Sequence, residues 1–191
     1  MEALPAGAPP APKNQTLVGA TLASVAILML TGGMLGVWAV QRRQAIDLGQ
    51  SWLPSDVTIP EVPTNVMLIA FIGVVSFAHW ASWAARRDDK ANTVFALGAT
   101  AFVALLIINA QAFVYTQMEL PISQGPYGAM FFAITGTFIA VMIGGTIFSL
   151  VAVFRVAGGR SDRHILAAHT LVWYAIGVAY CGIWFLVYVT K

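Results

Sequence analysis

Charged side chains are scarce in this chain of 191 residues: Asp, Glu, Lys and Arg make up 9% of it, against 59% hydrophobic residues. A soluble globular domain carries about 25% charged residues, because its surface must face water. The composition therefore excludes a water-soluble enzyme and a nucleic-acid-binding protein, and it predicts an integral membrane protein. The formal net charge of +2 is too small to indicate an anionic partner.

Cysteine is almost absent as well. The single Cys181 lies within an apolar stretch, which excludes both a disulfide framework and a cysteine metal site. Proline is concentrated at the start of the chain, where MEALPAGAPPAPKNQT is rich in Pro and Ala. This composition predicts a disordered tail over residues 1–16, followed by one membrane domain over 17–191.

The charges fall in short clusters, and five long apolar stretches lie between them: 17–40, 66–85, 92–117, 127–154 and 165–189. Each stretch is long enough to cross the bilayer as a helix, which takes roughly 20 residues. We therefore predict an all-α bundle of five transmembrane helices. The counts of Lys and Arg favour an N-terminus inside and a C-terminus outside, because seven of them then lie on the inner side and three on the outer side.

Ionisable residues at membrane depth are expensive and usually functional, yet no predicted span has Asp, Glu, Lys or Arg in its core. We therefore predict no catalytic, cofactor-binding or metal-binding residue in this chain. His79 and His169 lie within predicted helices and could ligate haem or a metal. Neither has a second His or a carboxylate at i+3 or i+4, so helix packing is the favoured interpretation. His164, in a charged loop, is expected to be solvated.

Neutral polar and small residues are the candidate contact positions. Asn109 and Gln111 are amides within helix three, where hydrogen bonds to another helix would satisfy them, and Gln111 shares a face with Tyr115. Small residues at this spacing let helix backbones approach closely, and they recur every four positions on helix four: Gly136, Ala140 and Gly144. We predict that both faces pack inside the bundle.

The order of these features resembles subunit III of the haem–copper terminal oxidases, in the five-helix form found in bacteria. Helix one ends in GGMLGVWAVQRRQ, and a Trp52-x-Pro54 element follows, similar to the family's first helix and its outer Trp-Pro segment. We expect Trp52 to lie at the headgroup level. Residues 111–115 (QAFVY) resemble the family's Gln-x-x-Glu-aromatic stretch, and 126–136 (PYGAMFFAITG) its Tyr-Gly-Ser opening. Trp173 stands where the family has a Trp-His-Phe-x-Asp run.

The chain departs from this pattern wherever the family has an ionisable residue that can be placed. The replacements are Ile27 for a Glu of the first helix, Val114 for the Glu after Gln111, Phe138 and Val141 for two His of helix four, and Tyr174 and Gly177 for the His and Asp of helix five. In the family the embedded acid assists proton uptake. The resemblance therefore implies a divergent member that keeps the scaffold role without that side-chain chemistry.

The resemblance implies a non-catalytic subunit of a respiratory oxidase in a bacterial plasma membrane, docked on subunits I and II. Those partners would bind the haem and copper, and phospholipid would fill a V-shaped cleft in this chain. An accessory subunit of nitric oxide reductase or quinol oxidase remains an alternative, as do an independent membrane cytochrome and a permease. The predicted packing, lipid-contact or subunit-contact positions are His79, Gln111, Tyr115, Tyr127, Gly136, Ala140, Gly144 and Trp173.

Overall fold

A computed structural model describes residues 14–55, 57–121, 125–160 and 162–190, and within these ranges the regular structure is entirely helical. Five of the helices are long and apolar enough to cross a membrane, so the predicted fold class is confirmed. They are α1 (Gln15–Asp47), α2 (Glu61–Arg86), α3 (Lys90–Met118), α4 (Gly125–Ala157) and α5 (Arg163–Ile183), which continues as a π-helical turn, Trp184–Val189. The orientation of the termini stays a prediction.

Helix α1 begins two residues earlier than predicted. Gln15 and Thr16, assigned above to a disordered tail, are helical, and the N–H of Val18 donates to the carbonyl of Asn14 at 3.0 Å. The sequence has no proline between residue 12 and the predicted start of the helix at residue 17, so nothing in this stretch prevents a further turn of helix. Residues 1–13 of the predicted tail lie outside the described part of the chain.

Polar turns connect antiparallel helices at one end of the bundle. Asp89 caps α3 by accepting from the N–H of Asn92 at 3.1 Å, and Asp162 caps α5 by accepting from the N–H of His164 at 2.8 Å. Hydrogen bonds from Asn92 hold the pKa of the Asp89 carboxyl below its ordinary value. We call this the basic end, after the residues Arg86, Arg87, Lys90, Arg155, Arg160 and Arg163.

Helix α5 lies at the centre of the helix contacts, because it packs against α1, α2 and α4. Helix α3 packs between α2 and α4, whereas α1 contacts α4 only weakly. In the most apolar window of α5, 56% of the residues are buried, against 17% in that of α1. The bundle is therefore tightly packed around α5 and open between α1 and α4.

Candidate functional site

Gln111 is the centre of a buried polar cluster that joins α3, α4 and the π-helical turn. The hydroxyl of Tyr188 donates to Oε1 of Gln111 at 2.9 Å. One turn along the same face, the hydroxyl of Tyr115 donates to Oγ1 of Thr135 at 2.8 Å, which itself donates to the carbonyl of Phe131 at 2.6 Å. The predicted interhelical hydrogen bonding of Gln111 is therefore present, although its Nε2 has no partner among the described residues.

Three aromatic rings pack together at the end of the bundle opposite the basic end. The ring centroids of Trp38, Trp52 and Tyr127 lie 5.0 to 5.6 Å apart, and Nε1 of Trp38 donates to the carbonyl of Leu186 at 3.1 Å. Trp52 is 7% exposed in this cluster, so it packs against protein, and its position at the headgroup level stays a prediction. The long connection folds back onto the helices because Trp38 and Tyr127 offer its indole an aromatic surface to bury against.

The contact between α4 and α5 contains a second buried polar cluster, built from Ser149, His169 and Trp173. Nε1 of Trp173 lies 3.0 Å from both Oγ of Ser149 and Nε2 of His169, and those two atoms are 2.7 Å apart. An indole N–H can only donate, so Oγ of Ser149 and Nε2 of His169 share it as acceptors at equal distance, while Nδ1 of His169 has no partner among the described residues. His169 acts here as a packing residue, as the sequence favoured, and Ser149 is a member of the cluster that the sequence did not indicate.

His79 makes a different kind of contact. Its Nδ1 lies 2.7 Å from the hydroxyl of Tyr174, and the two rings are stacked with centroids 6.3 Å apart. Both side chains are exposed on the membrane-facing surface, where α2 meets α5. His79 therefore joins two helices, and its role in lipid or subunit contact stays a prediction.

An apolar groove of about 460 Å³ lies between α1 and α4. Its walls include Ala20, Ala23 and Ile27 on α1, and Val141 and Gly144 on α4. The prediction that the small residues of α4 pack inside the bundle is wrong: Gly136, Ala140 and Gly144 are all exposed. The three residues do share one face of α4, but that face is exposed. The neighbouring face, which contains Gly145, packs against α5.

Comparison with known proteins adds to this geometry. The family model for cytochrome c oxidase subunit III matches residues 21–191. The chain belongs to the cytochrome c oxidase subunit III family. Among its relatives, cytochrome c oxidase subunit 3 of Rhizopus stolonifer is 29% identical over 151 residues, which are 75% of this chain and 52% of that protein. For Strongylocentrotus purpuratus the identity is 30% over 156 residues, 75% of this chain and 57% of that protein.

The chain thus spans about half the length of the curated relatives it matches. The family assignment made from the sequence is confirmed. Because the match covers only about half of each relative, the activity and partners of the relatives are only proposals for this chain.

Several of the family's ionisable positions, as the resemblance places them, are filled by packing in this member. Phe138, at a His position, is buried between Phe71 and Tyr180, with ring centroids 5.8 and 5.2 Å away. Gly177, at the Asp position, lies so close to α2 that an added Cβ would be 3.1 Å from Cγ2 of Val75. A larger side chain there would require Val75 to shift, so the glycine allows the close contact between α2 and α5.

The two Glu positions of the subunit III pattern lie in contrasting surroundings. Val114 is 0% exposed within the core of the bundle. Ile27 is half-buried on the wall of the α1–α4 groove. Among the described residues, no group of three or more His, Cys, Asp and Glu side chains is arranged to hold a metal ion.

Proposed function

We propose that this chain is a non-catalytic subunit of a respiratory cytochrome c oxidase complex, in which it stabilises the haem-bearing subunit. The observation that carries the proposal is the match to the subunit III family over residues 21–191. Subunits I and II are the proposed partners, and they would bind the haem and copper. The resemblance described above is to the bacterial five-helix form, so we place the chain in a bacterial plasma membrane with its N-terminus inside.

The interior of the bundle supports a scaffold role. Among the described residues, its buried polar side chains are an amide, hydroxyls, indoles and an imidazole, and some of the bonds between them cross helices, as those of Gln111 with Tyr188 and of Ser149 with Trp173 do. Such bonds fix helix positions. The complex would reduce oxygen and pump protons through groups in its other subunits, while this chain orders the helices around them.

The α1–α4 groove supports phospholipid binding. Its walls are almost wholly apolar and widened by small residues, which suits an acyl chain at membrane depth. An acyl chain held there would shape how lipid and oxygen reach the partner subunit. The resemblance implies a lipid-filled cleft, and the α1–α4 groove is the feature that we propose corresponds to it.

A pair of arginines at the basic end supports binding of the lipid headgroup. Gly159, with φ +78°, ends α4 in a Schellman turn, in which the N–H of Arg160 donates to the carbonyl of Arg155 at 2.9 Å. This turn brings the two arginines together, and both border a pocket of about 370 Å³ beside Phe154. Paired guanidinium groups below exposed apolar side chains suit a phosphate headgroup.

Purification through a tag on this chain, in a mild detergent, tests the proposed function. We expect a haem-bearing polypeptide to co-purify, with an oxidase absorption spectrum and oxygen consumption driven by reduced cytochrome c. Recovery of the chain without haem would overturn the proposal. Co-purification of nitric oxide reductase polypeptides would overturn it in favour of the alternative assembly.

A further inference from the structure

An unpartnered amide lies on the membrane-facing surface of α3. Asn109 is exposed, and its side chain has no hydrogen-bonding partner among the described residues. It lies nine residues before Met118, which at 1.5 Å per residue is about 14 Å from that end of the helix. Hydrocarbon offers an amide no hydrogen bond, so this exposure costs free energy unless another protein helix covers it. The prediction that Asn109 bonds to another helix is therefore wrong within a single chain.

Three other polar side chains on the membrane-facing surface are satisfied within their own helices. The hydroxyl of Thr21 donates to the carbonyl of Leu17 at 2.9 Å, and that of Ser76 to the carbonyl of Ile72 at 2.7 Å. Thr116, on the same helix as Asn109, donates to the carbonyl of Phe113 at 2.8 Å. Asn109 differs from these three, because both its donor and its acceptor are left for a partner.

Asn109 lies in a seven-residue repeat along α3. We call this stripe the α3 seam, and its exposed members are Phe95, Phe102, Leu105, Asn109, Ala112 and Thr116. These are the a and d positions of a heptad, with Asn109 at a. Any helix packed against two neighbours leaves an exposed stripe, so the stripe alone identifies nothing. The amide at its centre is the informative member.

We propose that α3 pairs with α3 of a second copy of this chain, with the two Asn109 amides hydrogen-bonded to each other. Two copies inserted in the same direction are parallel, and a two-fold axis along the membrane normal places each residue opposite its own counterpart. An amide carries both a donor and an acceptor, so it is complementary to itself. A single Asn at an a position selects a parallel pair in register.

The rest of the α3 seam fits this partner. Ala112 at a d position, and Gly98 two d positions earlier, let the helix backbones approach closely. Phe102 and Leu105, at 62% and 50% exposure, have ample surface to bury on either side of the amide. Pairing through α3 leaves the α1–α4 groove free, so lipid and partner subunits can bind at the groove while two chains are paired.

Photo-crosslinking of the full chain in its native membrane tests the pairing. With benzoylphenylalanine at Leu105, we expect a product at twice the mass of the chain. Asn109→Leu should lower its yield about 3- to 20-fold, the range expected for one hydrogen bond between membrane helices, and Asn109→Gln should retain most of it. Asn109→Ala gives the same test should the leucine variant accumulate poorly.

Two controls accompany this experiment. Thr21→Val removes a membrane-facing hydroxyl that is already satisfied, so it should leave the yield unchanged. Benzoylphenylalanine at Met29, which is 72% exposed on α1, should give no product of twice the chain mass. Crosslinks from Leu105 only to lipid, or to a different polypeptide, would overturn the proposal, as would an undiminished yield in Asn109→Leu.

Discussion

Helix α4 contacts α5 and α1 in opposite ways, and two adjacent glycines show the difference. A Cβ added to Gly145 would lie 3.0 Å from Cδ1 of Ile176 and 3.2 Å from Cζ2 of Trp173, so α5 is packed directly onto this backbone. A Cβ added to Gly144 would meet nothing within 4 Å, because that face borders the α1–α4 groove. We call the contact of α4 with α5 at Gly145 the sealed side, and the groove between α4 and α1 at Gly144 the open side.

This difference separates the positions at which, by the resemblance, the family has ionisable residues and this chain does not. Two of these positions are closed by packing: Phe138 of α4 lies against Phe71 and Tyr180, and Gly177 of α5 lies against Val75 of α2. On the open side Ile27 and Val141 line the groove and leave it accessible to apolar molecules. We infer that the sealed side stabilises the fold and that the open side is free to bind phospholipid.

The strongest test of the comparison restores a carboxyl group on each side. Val114→Glu would bury an acid at a position that is 0% exposed, at a cost of about 3 kcal/mol by membrane insertion scales. Ile27→Glu should lose less, because the open groove gives its side chain room without displacing packed neighbours, although the apolar walls still disfavour the charge. The free energy of unfolding in mixed micelles, titrated with a denaturing detergent, measures both. Equal losses would show that the two sides do not differ as described.

The adjacent glycines give a smaller but cleaner contrast. Gly145→Val should destabilise the bundle by about 1 to 3 kcal/mol, the usual cost of overpacking, because its methyl groups would overlap Ile176 and Trp173. Gly144→Val should change the stability by no more than about 0.5 kcal/mol. The same unfolding measurement compares them, and a larger loss in Gly144→Val would reverse the assignment of faces.

Removal of one indole N–H tests the polar part of the sealed contact. Trp173→Phe leaves Ser149 and His169 without their shared donor, at a cost of about 1 kcal/mol beyond the change in volume. Tyr174→Phe, which removes the exposed hydroxyl beside His79, is the matched change outside that contact and should cost less. A double-mutant cycle with Ser149→Ala isolates the hydrogen bond, and additive effects would show that it contributes nothing.

The smallest expected effect lies outside both contacts, at the Asp89 cap. Hydrogen bonds from Asn92 lower the pKa of this carboxyl in the folded chain. Its contribution is therefore complete above the ordinary carboxyl pKa of about 4, and it is lost as the pH falls through the lowered value. We expect Asp89→Asn to reduce the decline in stability on acidification, measured by unfolding between pH 6 and pH 3. A steeper decline in the variant would contradict the sign.

Much of the fold follows from the sequence, because long apolar stretches without charge have one favourable arrangement in lipid. The sequence predicts the five spans on that basis. It also predicts the buried bond of Gln111, because an amide within an apolar helix needs a partner. It does not predict the faces of α4, since small residues at 136, 140 and 144 and the glycine at 145 look equally suited to a close contact. Which of them packs depends on the position of α5, and that depends on distant residues such as Ser149 and Trp173.

Native mass spectrometry of the tag-purified protein tests most directly the claim that the sealed side holds the fold while the open side binds lipid. We expect wild type to carry bound phospholipid, Gly144→Trp to lose it by filling the groove, and both to keep the same partners. Gly136→Trp is the control, because it adds the same ring to an exposed position of α4 away from the groove walls. Equal phospholipid on wild type and Gly144→Trp would contradict the account.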